Sequence, residues 1–188
     1  MPQAKTLTQS EVDQVLRYLS TRRFAARNRA LILTSLWSGM RVKEIAAVRV
    51  CDVRAEDGSI LREVRLTAEQ TKGRRSRTVY INHKLREELA SYMRAYPPTD
   101  AKQPLFWTER SKGWNANTLS QWFYWTYRNA GIVGASSHSG RRTFITTLAN
   151  KGVGVRVLAA LAGHSSITTT QAYIDVNDEM KRSAAELI

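Results

Sequence analysis

Residues 138–173 read HSGRRTFITTLANKGVGVRVLAALAGHSSITTTQAY, and the rest of the chain is legible as scaffolding for them. The stretch carries two of the chain's three histidines, a pair of adjacent arginines and a tyrosine able to act as a nucleophile. His138 and Arg141 stand three apart, so on a helix their side chains leave one face a turn from each other. His164 follows a glycine break in LAGHSS, and Tyr173 comes nine residues later. An arginine fork binds phosphate bidentately, an imidazole can donate to a non-bridging oxygen, and a phenolate can attack phosphorus. Together they form a set for phosphoryl transfer without a metal.

Working outward, the pattern predicts a helix over about residues 139–150, with Phe144, Ile145 and Leu148 directed inward. Gly140 inside it costs about 1 kcal/mol relative to alanine and is expected to loosen the helix locally. Gly152 and Gly154 make a turn before the short apolar helix of VRVLAALAG, and a further helix starts near Ser165 and Ser166. Thr168, Thr169 and Thr170 are β-branched, a poor composition for that helix. The tail DEMKRSAAELI is helix-compatible, with Met180, Ala184 and Leu187 at heptad-like spacing.

Upstream, Thr8 and Glu11 form a capping box for a helix over about 9–19, whose apolar face carries Val12, Val15, Leu16 and Leu19. TRRFAARNR interrupts the apolar pattern, and the helix through ALILTSLW is apolar enough to be central, ending at Gly39. Arg41 and Glu44 follow on a short helix, where the plain alternative is a surface ion pair. From Val48 to Ile81 the period changes. VRVCDV, ILREVRL and SRTVYI predict a three-stranded antiparallel meander, with turns at Asp57–Gly58 and at TKGRR. HKLREELASYMRAY is an amphipathic helix stopped by Pro97 and Pro98, and a further helix, capped near Asn117, runs to Gly131. Its Trp122, Phe123, Tyr124, Trp125 and Tyr127 are too dense for one face, so some are expected to be exposed or to face a partner; core packing is the reading for most of them, and one or two over DNA sugars beside Arg128 the alternative. The fold class expected is therefore α+β, mostly helical with a small sheet, in one domain over residues 1–188.

Composition sets the outer limits. The chain has 188 residues, with 29 Lys and Arg against 16 Asp and Glu and a formal net charge of +13. Such a balance favours a polyanionic partner, nucleic acid ahead of an anionic membrane surface. No long apolar run or signal pattern occurs, so a soluble, cytoplasmic protein is expected. Cys51 is the single cysteine, which excludes an internal disulfide and any cysteine-rich zinc site, and it reads as a small core residue. HExxH, GxxxxGK[ST] and DxDxDG patterns do not occur, which argues against a zinc protease, a nucleoside triphosphatase or an EF-hand.

The ordered boxes SGMRVKEI around Arg41, TKGRRSRTVYIN around Lys72, HSGRR, LAGH and TTTQAY resemble those of the tyrosine recombinase (phage integrase) family from about Leu7 to about Val176. HxxR or GH alone is weak, but all the boxes in order are specific. The resemblance implies a recombinase catalytic domain that cuts and rejoins DNA through a 3′-phosphotyrosyl intermediate, without cofactor or metal. It implies Arg41, Lys72, His138, Arg141, His164 and Tyr173 as catalytic residues, with Glu44 supporting them. Arg74, Arg75, Arg77 and Arg142 are the candidate DNA contacts, against the alternative of a solvated basic turn for the first two. Double-stranded DNA is the expected partner, bound by a homo-oligomer from dimer to tetramer, with the tail from about residue 177 as an inter-subunit arm. Tyr173 is expected on a mobile element that docks properly only on DNA or a neighbouring subunit. Gly140 and Ser137 depart from the leucine and proline more usual in the family. With Met1 close to the start of the catalytic fold, the family's N-terminal core-binding domain is expected to be absent, as in a compact or excised form. A type IB topoisomerase-like activity and a noncatalytic DNA-binding protein on the same fold are the alternatives.

Overall fold

The computed structural model describes residues 4–71, 74–109, 113–174 and 178–186. Several of its helices begin where a polar side chain takes up an otherwise unpaired backbone N–H group. Helix α1 (Gln9–Ser20) opens on the Thr8–Glu11 capping box, both halves of which form, and buries Val12, Val15 and Leu19. Helix α2 (Ala25–Ser38) buries Leu31, Ile32, Leu33 and Leu36 together with Thr34, Ser35 and Ser38, so from Ala30 to Leu36 it is covered on every side. The hydroxyls of Thr34 and Ser38 donate to the carbonyls four residues back, at 2.8 and 2.6 Å, which makes their burial tolerable. Gly39, left-handed at φ 62°, ends the helix.

Short helices α3 (Val42–Ala47) and α4 (Val50–Val53) lead to a two-stranded antiparallel sheet. Strand β1 (Glu63–Leu66) pairs with β2 (Arg77–Tyr80), Val64 opposite Val79. The expected third strand, VRVCDV, is instead the helical turn α4 flanked by single bridges, Arg49 to Pro104 and Arg54 to Ile60. Asp52 explains the difference, because its carboxylate caps Arg49 N at 2.9 Å and accepts from Gln70 Nε2 at 2.6 Å. Val50 and Val53 are then buried one turn apart, and tertiary contacts override β propensity. Cys51 lies exposed on this turn, not in the core. The Asp57–Gly58 turn forms as expected, with Gly58 at φ 87° and Ser59 N on Asp57 Oδ1 at 2.8 Å.

Helix α5 (His83–Ala95) packs on α2, and α6 (Ala116–Asn129) starts at Asn115, two residues before the expected cap. The aromatic run of α6 divides: Phe123 and Tyr127 are fully buried, while Tyr124 and Trp125 are exposed beside Arg128. Helix α7 (Ser139–Asn150) packs along α2, followed by α8 (Val155–Ala162), α9 (Ile167–Gln171) and α10 (Asp178–Ala185). Of the tail residues expected at heptad spacing, Leu187 lies outside the described residues, and the side chain of Met180 is likewise not described.

Gly140 has a packing reason that composition hides. A Cβ built on it would overlap Ser35 Oγ and stand 2.8 Å from Ser35 Cβ and 3.1 Å from the Ser35 backbone carbon. The glycine lets α7 lie against α2, which is the contact that holds Arg141 over the end of α2. Gly140→Ala would gain about 1 kcal/mol of helix propensity on an open surface. Here overpacking costs about 1–3 kcal/mol, so the urea midpoint is expected to fall, and Ser35→Gly in the same chain should restore most of the loss.

Candidate active site

The site is assembled at the C-terminal end of α8. The last carbonyls of a helix have no intrahelical donor and carry the negative end of its dipole. Here three arginines from distant elements take them one each. Arg77 Nη1 donates to Leu161 O at 2.9 Å, Arg141 Nη2 to Ala162 O at 2.7 Å and Arg41 Nη2 to Gly163 O at 2.9 Å. Arg141 also donates to Gly39 O at 2.6 Å, at the buried C-terminal end of α2. Gly163 turns the chain at φ 65°, and a Cβ there would come within 2.6 Å of Arg77 Cδ.

Glu44 is the counter-charge. Its side chain is 0% exposed and accepts from Arg41 N (2.8 Å), Arg41 Nη1 (3.1 Å), Arg77 Nε (3.2 Å) and Arg77 Nη2 (2.7 Å). This is a buried anchor for two cations, unlike the surface pair that was its alternative. Burial by itself pushes the Glu44 carboxyl up, but the hydrogen bond and charge of Arg77, then Arg41, hold it below its ordinary value. Arg141, only 4% exposed, is pushed down to about 9 by burial and by Arg41 and Arg77, with Glu44 and Tyr173 acting the other way. It remains a cation at neutral pH.

His164 follows Gly163, and its Nδ1 lies 2.8 Å from the hydroxyl of the fully buried Thr170. Burial, then the charges of Arg141, Arg41 and Arg77, push the imidazole from 6.5 to about 4. The ring is neutral at pH 7. Between pH 6.5 and 4 the unfolded chain binds a proton here that the folded chain does not. Stability from this group is therefore complete above pH 6.5 and declines as the pH falls toward 4. Urea midpoints measured from pH 7 to pH 4 should drop more steeply for the wild type than for His164→Asn.

Tyr173 stands on the turn after α9, its ring 5.7 Å from that of His164 with the planes 17° apart. His138, immediately before α7, lines a cavity of about 800 Å³ with Tyr124, Arg142, Thr169 and Tyr173. A second cavity, of about 670 Å³, is lined by Arg41, Glu44, Arg75, Arg77 and His164, and Thr169 borders both. Of the expected residues, His138, Arg142 and Tyr173 thus line one side of Thr169, and Arg41, Arg75, Arg77 and His164 the other. Arg142 stands over the Tyr173 ring. Lys72 lies outside the described residues, and Arg74 is left-handed at φ 49°.

Sequence reasoning missed the inward role of Arg77 and the part of Thr170. Arg77 shares a strand face with Val79 and Ile81, and that alternation was a readable signal for a buried arginine. Thr170 had none, since its hydroxyl finds His164 only once α9 is folded.

An α+β fold that gathers arginines, histidines and a tyrosine in this way is the arrangement expected of a tyrosine recombinase catalytic domain. The chain belongs to the phage integrase family, whose model matches residues 5–180. Among curated proteins it is similar to tyrosine recombinase XerA of Pyrococcus furiosus, 30% identical over 187 residues, covering 97% of this chain and 61% of that protein. The chain therefore spans about three-fifths of the length of this relative. Among solved structures, XerA recombinase superposes with a TM-score of 0.76 at 25% identity, over 100% of this chain and 64% of that one. The Tn1549 transposon integrase in complex with transposon right end DNA shares the fold, with a TM-score of 0.74 at 18% identity over 100% of this chain and 67% of that one. No helix among the described residues is long and apolar enough to cross a membrane.

Proposed function

We propose that this chain is the catalytic unit of a site-specific DNA recombinase that cuts and rejoins DNA through a 3′-phosphotyrosyl link. The observation that carries the reading is the rack of three arginines on the end of α8, with His164 stacked on Tyr173 beside it. Such a rack is preorganised for a doubly charged phosphorane, because its cations are held in place before substrate arrives. The Tyr173 oxygen forms a bond to the scissile phosphorus, and the bond from phosphorus to the 5′ oxygen breaks. His138 takes the phenolic proton, and Lys72 supplies one to the leaving 5′ oxygen. Arg41 and Arg141 hold the non-bridging oxygens. With the Thr170 hydroxyl donating to Nδ1, neutral His164 carries its proton on Nε2 and donates it toward the same phosphate. The bond energy stays in the phosphotyrosine, so rejoining to a new 5′ hydroxyl requires no nucleotide.

Charge supports the partner. The net +13 and the arginines of the β1–β2 turn suit duplex DNA, bound in the cytoplasm by two to four copies of the chain. The test is covalent trapping on a pool of nicked duplexes of randomised sequence, followed by mapping of the linked peptide. An SDS-stable adduct carrying a 3′ phosphate on Tyr173 is expected. No adduct on any duplex of the pool would leave only a basic DNA binder. Strand exchange between matched sites, and not relaxation of any supercoiled plasmid, is the expected product pattern.

A further inference from the structure

Arg142 does more than sit next to Arg141. Its guanidinium lies over the ring of Tyr173, Cζ 5.4 Å from the centroid, and its Nε donates to Thr6 Oγ1 at 3.0 Å. Thr6 belongs to a lead-in segment, residues 4–8, that is fastened to the body at several points. Lys5 N donates to Gly134 O at 3.3 Å, Leu7 N to Thr143 Oγ1 at 2.8 Å, and Lys5 Nζ pairs with Glu11 at 2.6 Å. Ala4 lines the same cavity as Arg142 and Tyr173.

We propose that Arg142 is a positioning residue for Tyr173, and that through Thr6 it links the placement of the nucleophile to the docking of residues 4–8. The inference rests on reading Tyr173 as the nucleophile. A planar cation is attracted to an aromatic face, so an anchored guanidinium plane fixes where the ring can lie. The Thr6 bond supplies the anchor. Tyr173 needs it, because the five-residue α9 ahead of it is too short to hold a side chain rigidly. The stacked His164 ring constrains the tyrosine further, but His164 itself belongs to the phosphate seat. Thr146 Oγ1 donates to the Tyr173 carbonyl at 3.3 Å and holds its backbone to α7, while Arg142 ties the ring to residues 4–8. Whatever displaces residues 4–8 also releases the nucleophile from its present orientation.

A contact to DNA phosphate would act differently, through affinity and its salt dependence. The test uses the whole chain with Arg142→Gln, Arg142→Lys and Thr6→Val, and two readouts. In free protein, amide exchange of residues 167–174 should quicken roughly fivefold in Arg142→Gln and Thr6→Val, with α1 unchanged. At saturating nicked DNA, adduct formation should slow about 10-fold in Arg142→Gln and less in Thr6→Val, with Arg142→Lys recovering most of the rate. DNA affinity and its salt slope should stay at wild-type values. Rates that are normal at saturation, with weaker binding and a shallower salt slope, would make Arg142 a phosphate contact and overturn the proposal. Unchanged exchange in both variants would overturn it too. If the wild type forms no adduct, the nucleophile reading fails, and the exchange measurement still decides whether Arg142 holds the ring.

Discussion

Tyr173→Phe protein is expected to fold and bind DNA like the wild type and to form no covalent adduct. The substitution removes one oxygen and leaves the ring, so the stacking on His164 and the contact beneath Arg142 survive. The stability change should stay within about 0.5 kcal/mol. The chemical change is total, because phenylalanine has no atom that can bond to phosphorus. Adduct yield on nicked DNA should fall by at least about 1000-fold, to the background of the gel. Retained adduct would mean that another side chain attacks, and the mechanism proposed for Tyr173 would be wrong. Retained binding together with lost chemistry separates the nucleophile from the arginine rack, whose loss would weaken both.

The second large effect concerns Glu44, which touches no substrate in this mechanism. It is the one carboxylate that Arg41 and Arg77 share among the described residues, and it is wholly buried. Glu44→Ala leaves two cations facing Arg141 with no neutralising partner. Removing one member of a buried pair costs about 3–5 kcal/mol, because the charge left behind remains desolvated. That is a large part of the total stability of about 5–15 kcal/mol for a domain. Glu44→Gln should lose less, since its amide oxygen still accepts from one arginine. Urea midpoints at pH 7 check both. Because the folded carboxyl is held below 4.5, its contribution is complete above that pH and lost as pH falls through the lower, folded value. Sulfate should recover part of the stability of Glu44→Gln, by supplying an anion to the exposed side of the rack. A midpoint unchanged in Glu44→Ala would show that the rack is solvated and that its preorganisation is not electrostatic.

The helices were legible because their signals are local. Thr8 with Glu11 opens α1, Gly39 closes α2, and the apolar spacing around Arg141 gave α7 its observed bounds. The third strand was not legible. VRVCDV has strand composition, and the contacts of Asp52 with Arg49 N and with Gln70, eighteen positions away, favour a turn of helix. Gly140 reads from sequence as a weak point in α7, whereas the closeness of Ser35 makes it the residue that permits the packing.

By itself the amino-acid order determined the family and, through the order of its boxes, which arginines, histidines and tyrosine are expected to act together. Residue type adds the expected target, a phosphate, since reactivity is a property of the side chain. Tertiary structure alone decided how the cations are held. The carbonyls ending α8 find donors 84 and 122 residues away, and Arg141 reaches back 102 residues to the end of α2. An unpaired carbonyl leaves no mark in the sequence. It has only the requirement that some donor arrive, and which one does is settled when the helices and the sheet close around it.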